Sequence, residues 1–469
     1  MKYVFTLFLF LISAANFQAQ EAAGGHFLFS GSLNQLTAEG VKVAPVSSGL
    51  PFSMVLTEAG ARIAPAQFDL KIPGASDSLK LSFENLKFAG GHLTAMAKIT
   101  NSRGAVLEGV RLDVVSAKEE FQTKDAKGNL TKDAQGNPVL STRTQTVNLA
   151  SPLFFGDLAK NDSSDSLAFD AATIKFAPET TKINVNGVVS GLRYLGAFNV
   201  KDLDDPGELA TDAQGRIYIC DVGNSRIVRT NADGGNIETV AKLEDQCQGV
   251  GVDPKTGDIY ATNINYKTVR HFSDAGADKG SFESDSSLYY LRFDRNGSFY
   301  GAGSHVFRFN NQKPALDVGE IAGDDLYTKG FDIDAGGNIW IVSGLDKDRH
   351  LYRVGAGGKN GQRIASGADW RLGRVDVPQS VRIDAGGNAY VVELGEENLE
   401  ASRISVFDKN GAFVRVFGRG GRTPKTDTLL PGQVYRPVDI AFGTDERVYI
   451  ACENDGGFSR NLILMFQPF

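Results

Sequence analysis

Ser380-Val-Arg-Ile-Asp-Ala-Gly-Gly-Asn-Ala-Tyr-Val-Val392 encodes a strand, a tight turn and a second strand. Val381 and Ile383 alternate with Ser380 and Arg382 before the turn, and an apolar, β-branched run follows it. Period-two patterning and β-branched side chains specify strands. In the turn, an aspartate bonds its own backbone while glycine and asparagine accept left-handed angles. The pattern recurs. Gly330-Phe-Asp-Ile-Asp-Ala-Gly-Gly-Asn-Ile-Trp-Ile-Val342 is nearly a copy, and looser versions run through Pro206–Arg229, Gly249–Asn263, Tyr290–Tyr300 and Val438–Ala451. The aspartates opening the first five turns, Asp212, Asp253, Asp294, Asp334 and Asp384, are spaced 41, 41, 40 and 50 residues apart.

A period near 40 with four short strands per unit predicts a β-propeller, because no single unit can bury both of its faces. Six units are present. The sixth has a third strand at Leu462–Phe466 and then stops at Phe469, one strand short. Just upstream of the first unit lies an alternating stretch, Leu192–Asn199. It is expected to supply the missing outer strand and close a propeller spanning 190–469, leaving no unpaired interior edge.

The wording of these units, Val-x-Val-Asp-x-x-Gly-x-Ile-Tyr-Val-x-Asp followed by Asn-x-Arg-Ile, resembles the NHL repeat. Units one, four and five match it closely, unit three lacks the Asn-x-Arg element, and unit six lacks the turn aspartate. The resemblance implies a fold and no particular activity.

Upstream, residues 21–189 alternate in short runs, as at Gly40–Pro45, Lys80–Phe88, Ala95–Thr100 and Leu167–Asp170. Their order resembles an immunoglobulin-like β-sandwich of exported bacterial proteins. The expected fold class is therefore all-β, an N-terminal β-sandwich followed by a six-bladed β-propeller. Between the sandwich strands, Lys124–Asn129 and Lys132–Asn137 nearly duplicate one another, and their turn-rich polarity predicts an exposed excursion.

Residues 1–19 read as a signal peptide: Lys2, an apolar run from Val4 to Ile12, and small residues that allow cleavage after Ala15 or Ala19. Export to the periplasm or beyond is expected, with no transmembrane segment in the mature chain. The formal net charge of −7 and the lack of a Lys/Arg cluster argue against a nucleic-acid partner. Cys220 ends a strand of unit one and Cys247 precedes unit two, so a disulfide between them is expected, with Cys452 as the alternative partner.

Tyr218, Tyr260, Tyr300, Trp340, Tyr390 and Tyr449 share one position and read as packing between blades. Asp221, Asn224 and Arg226 form a loop brace in NHL repeats. Asn263, Ser343, Glu393 and Cys452 replace the aspartate elsewhere, and such departures are where a site is expected. The longest connections, 343–349, 366–374, 394–402, 418–436 and 453–460, all emerge on one face, and long loops on a rigid frame carry function. Candidate ligand residues there are Trp370, Arg371, Glu393, Arg403, Glu453 and Arg460.

These features favour a non-catalytic module that binds a protein, peptide or glycan without a cofactor. The alternative is a metal-assisted lyase or hydrolase, lactonase-like, acting in the propeller mouth. His305 and His350, at matching positions in adjacent blades, are its candidate metal ligands.

Overall fold

Asp384 meets the demands of its turn. Its Oδ1 accepts the Asn388 N–H at 2.8 Å, and its own N–H donates to the Asn388 carbonyl at 3.0 Å. Asp212, Asp294 and Asp334 repeat this with Arg216, Ser298 and Asn338. Each turn sets the register of an innermost and a second strand, and two further antiparallel strands complete a blade.

The computed structural model describes residues 202–469 apart from 264–266, 322–323, 345–348, 367–372, 395–401, 419–430 and 454–460. Upstream it describes 20–22, 26–28, 49–57, 67–73, 75, 78–89, 92–103, 105–146, 153–158, 163–164, 167–170, 180–198 and 200. The expected signal peptide, residues 1–19, and the expected strand at 40–45 lie outside these; between them a short hairpin pairs Gln20–Ala22 with His26–Leu28.

The protein is all-β: a sandwich followed by a propeller of six blades. Blade one comprises Pro206–Thr211, Ile217–Asp221, Arg226–Thr230 and Glu238–Lys242. Blades two to five follow the same order, with innermost strands Cys247–Val252, Tyr290–Phe293, Thr328–Ile333 and Pro378–Ile383. In blade six, Pro437–Phe442, Val448–Cys452 and Leu462–Pro468 pair in sequence. The outer strand is then supplied from upstream, with Leu192 opposite Pro468 and Phe198 opposite Ile463. Innermost strands pack against one another all the way round, the sixth against the first.

Apolar faces of neighbouring blades fill the spaces between them. Tyr218, Trp340 and Tyr449 are fully buried there. Each large side chain so buried contributes about 1.5–3 kcal/mol.

The closing strand is no separate piece. Thr180–Phe198 is one strand of 19 residues whose first half is the centre of a sandwich sheet, between Leu50–Thr57 and Leu107–Gln122. At Gly191 its partner changes from Leu50–Thr57 to Leu462–Pro468, so one sheet runs from the sandwich into blade six. A Cβ on Gly191 would lie 2.7 Å from the Phe469 ring, which packs against the sandwich core. Only glycine admits that ring.

The second sandwich sheet holds Gln67–Lys71, Ser78–Ala89, His92–Arg103 and Leu167–Asp170. Alternation buries Leu79, Leu81 and Phe83 from one strand and Ala95, Ala97 and Ile99 from the next, against Phe52, Met54, Ile183 and Val185 opposite. The near-duplicate segment is an exposed excursion, its Asp125 and Asp133 each accepting two backbone N–H groups of their own turns.

Polar contacts reinforce the seam. Arg111 is fully buried, pairs with Asp113 at 2.6 Å and donates to the Val414 carbonyl of blade five. Arg415 of that strand donates to Ser190 Oγ at 2.8 Å, and Gly418 N–H donates to Glu108 at 3.1 Å.

Candidate functional site

The register of the innermost strands stacks two rings of side chains around the axis. The first layer is Glu208, Gly249, Tyr290, Gly330, Ser380 and Asp439; two residues on come Ala210, Gly251, Arg292, Asp332, Arg382 and Ala441. Arginines of the second layer reach acids of the first. Glu208 Oε2 accepts the N–H groups of Val250 at 2.8 Å and Leu291 at 3.1 Å, and its other oxygen pairs with Arg292. Asp439 Oδ2 accepts from Leu209 N–H at 2.8 Å and Arg382 Nη2 at 2.7 Å, while Ser380 Oγ donates to Oδ1. Asp332 Oδ2 accepts the Ile383 N–H at 2.8 Å. Three carboxylates thereby tie all six innermost strands.

Burial raises the pKa of Asp439, but Arg382 and Arg292 outweigh it, so the carboxyl titrates below its ordinary range. Burial pushes Arg292 down to about 9, still protonated at neutral pH. The axis is thus packed with paired charge, costly to break.

Above this plug, on the face of the long connections, stand tyrosines. Tyr289 and Tyr327, where the innermost strands of blades three and four begin, are 37% and 45% exposed. Tyr290, in the plug's first layer, is their neighbour; burial raises its hydroxyl pKa, and Asp439, Tyr327 and Tyr289 raise it further. Sequence reading passed over Tyr289 and Tyr327. Their signal was faint: a Leu-Tyr pair directly before an innermost strand, at Leu288-Tyr289 and Leu326-Tyr327.

Glu393 and Arg403 face each other across the second and third strands of blade five, Arg403 donating from Nε at 3.2 Å and Nη2 at 3.0 Å. Asp221 and Arg226 hold the same places in blade one and pair at 2.6 Å. The longer acid at Glu393 preserves the brace. Burial raises its pKa despite Arg403, and it also accepts the Asp376 N–H at 2.6 Å. Asp376 in turn pairs with Arg349. This buried chain of charges forms a fixed floor at the roots of the connections in blades four and five. Glu453 is partly buried and binds Arg436 at 2.7 Å. Trp370, Arg371 and Arg460 lie outside the described residues.

His305 is partly exposed, its Nδ1 lying 2.9 Å from Asp317 Oδ1, whereas His350 is buried and meets Tyr352 edge-on. Among the described residues, no three His, Cys, Asp or Glu side chains gather as a metal would need. Cys220 and Cys247 are disulfide-bonded, with Cα atoms 5.6 Å apart, joining blades one and two. Cys452 is a buried free thiol, pushed up to about 12 by burial. Among the described residues no helix is long and apolar enough to cross a membrane.

No protein-family model matches the chain, and no curated protein matches it in sequence. Solved β-propeller structures resemble it in shape. A gluconolactonase from Xanthomonas campestris is 12% identical, with a TM-score of 0.43 over 60% of this chain and 90% of that one. A catalytically inactive virginiamycin B lyase from Staphylococcus aureus, solved with quinupristin, is 13% identical, with a TM-score of 0.41 over 76% and 99%. The WD40 β-propeller domain of Doa1 is 12% identical, with a TM-score of 0.40 over 59% and 97%. At such identities the likeness concerns the fold alone.

Proposed function

We propose that this chain is an exported, non-catalytic binding protein, its NHL-type propeller offering the face of the long connections to a protein, peptide or glycan. The observation that carries this reading is the pair Tyr289 and Tyr327, both exposed on that face at the axial mouth. Tyrosine gives large contact area at low entropic cost together with a polar tip, which is why it is enriched where partners dock. The frame beneath them supports the same reading, since the axial plug and the Arg349–Asp376–Glu393–Arg403 chain hold the site without reorganisation. The leader sequence and the Cys220–Cys247 bond support export, because disulfides persist in oxidising compartments. The immunoglobulin-like sandwich then serves as a rigid stand.

The test applies the intact protein and a Tyr289→Ala, Tyr327→Ala double variant to a glycan array and a peptide array. Loss of about tenfold or more in affinity with an unchanged melting temperature is expected. Identical binding by both proteins, or by neither, defeats the proposal. Elemental analysis probes the enzyme reading separately: a stoichiometric metal lost in His305→Ala would favour a lyase or hydrolase.

A further inference from the structure

The face opposite the long connections carries the turns between third and fourth strands. Four of these share one design. Asn231–Gly235, Ser273–Ala277, Gly355–Lys359 and Asp408–Ala412 each close by backbone hydrogen bonds around a glycine at positive φ. That glycine seats on the outermost strand of the preceding blade. A Cβ on Gly234 would collide with Phe198, one on Gly276 with the Val240 carbonyl, one on Gly358 with Leu316 and one on Gly411 with Ile364.

Blade three departs from the design. Its third and fourth strands are joined by Asn311-Gln312 alone, with Asn310 paired to Lys313. Both turn residues take positive φ, 47° and 64°, the type I′ hairpin geometry that ordinarily calls for glycine. A non-glycine side chain held there costs stability, and such strain persists where the surroundings or a function require it. Where the glycine seat would rest on blade two lies a cavity of about 490 Å3, bounded by Phe282 of that blade's outermost strand and by Asn311 and Gln312.

The lining combines two kinds of surface. Tyr260, Phe293 and Phe299 form an aromatic wall with ring centroids 5.1–5.4 Å apart. The Tyr260 hydroxyl accepts and donates no hydrogen bond among the described residues, whereas Tyr218 bonds Asp212 at 3.0 Å and Tyr449 bonds Ala232 at 2.9 Å. Around the rim, Asn296, Asn310, Asn311 and Gln312 supply amides, and Asp253 and Arg308 bring opposite charges. Amides offer donor and acceptor side by side, as vicinal hydroxyls require. Aromatic faces carry negative charge that favours the polarised C–H groups of a sugar ring. Balanced charge selects no ion.

From this we infer a second binding site, between blades two and three, for a neutral saccharide of about one or two rings. It lies on the face opposite the proposed mouth site and does not rest on that assignment.

The test titrates the full chain with cellobiose, maltose and N,N′-diacetylchitobiose by calorimetry, with indole as an apolar competitor. At least one saccharide binds. Gln312→Gly weakens it about three- to tenfold by removing an amide, yet raises the melting temperature by relieving the positive φ. A merely structural Gln312 would not separate the two readouts in that way. Replacing Asn311-Gln312 by the longer blade-five sequence Asp408-Lys-Asn-Gly-Ala412 fills the seat and abolishes binding while the fold remains. Tyr289→Ala leaves it unchanged. Binding of no saccharide, binding of indole alone, or binding indifferent to both turn variants overturns the inference.

Discussion

Blade six and blade three both depart from the common blade, and in opposite ways. Blade six is short of a strand and takes one from the sandwich, through the unbroken Thr180–Phe198. Blade three has all four strands but a truncated outer turn, and a cavity lies beside it among the described residues. An open strand edge leaves a row of unpaired backbone groups and invites aggregation, so it has to be repaired. A missing turn forfeits only packing between two blades, which a stable ring tolerates. The difference separates a fault in closure from a gap at the rim, and only the gap is free to acquire a use.

The severest way to break the comparison is to remove the repair. A chain beginning at Val200 loses the partner of Leu462–Pro468 and exposes that edge. It is expected to aggregate and to show no cooperative thermal transition, whereas the full chain unfolds with sandwich and propeller together. Two separate transitions in the full chain, or a soluble, cooperatively folded truncate, would contradict this. Gly191→Val tests the same junction more gently: the added atoms meet the Phe469 ring, and overpacking of this kind costs about 1–3 kcal/mol.

Next in size is the axial plug. Asp439 of blade six serves Leu209 of blade one and Ser380 and Arg382 of blade five, so it is the second tie across the closure. Asp439→Ala strands the buried arginines and should cost about 3–5 kcal/mol, read from the urea midpoint. The pH dependence has a definite sign. A carboxyl whose folded pKa is depressed contributes stability above its ordinary pKa and loses it as pH falls through the folded value. Between neutral pH and strong acid the wild type therefore loses more stability than Asp439→Asn, the divergence beginning near about pH 4. Parallel curves would mean that Asp439 is not held ionised in the fold.

Smaller again is the Cys220–Cys247 bond, which joins blades one and two within the chain rather than across the closure. Replacing both cysteines by serine should cost about 3.6 kcal/mol, the chain-entropy value for a separation of 27 residues, and lower the melting temperature without changing the oligomeric state. Cys452 provides the internal control. Buried and titrating at about 12, it should resist a thiol reagent until the protein unfolds.

What could be read from the sequence follows the range of the forces involved. The blade turns are local, and Asp384 through Asn388 contains every group that makes its turn. The closing strand was legible because arithmetic left one strand missing and one unassigned, at Leu192–Asn199. What did not show was that the same strand begins at Thr180 inside the sandwich, since a partner change at Gly191 leaves no mark on alternation. The axial plug went unread in the sequence, because Glu208, Arg292 and Asp439 are distant there and unremarkable singly, and only the register of the innermost strands brings them together. At the candidate site, Glu393 stood out as a departure from the aspartate of the Asp221–Arg226 brace, and in three dimensions Glu393 and Arg403 are that brace with one methylene more. Tyr289 and Tyr327 owe their significance to exposure, which no short pattern encodes.

The finest test returns to blade three. Gln312 sits at φ 64°, where a side chain with a Cβ is disfavoured by roughly 1 kcal/mol relative to glycine. Gln312→Gly should therefore stabilise the protein by about that amount. Lys313 and Asn310 keep their pairing, so the hairpin register is unaffected. The equivalent change in a turn that already has glycine is not available, but its reverse is: Gly411→Ala in blade five adds strain at φ 82° and drives a Cβ toward Ile364 at 2.7 Å. It should destabilise by more than Gln312→Gly stabilises, because the seat on blade four is filled while the one on blade two is open. Equal and opposite changes would mean that the two interfaces are packed alike, and that the cavity beside Gln312 closes in solution.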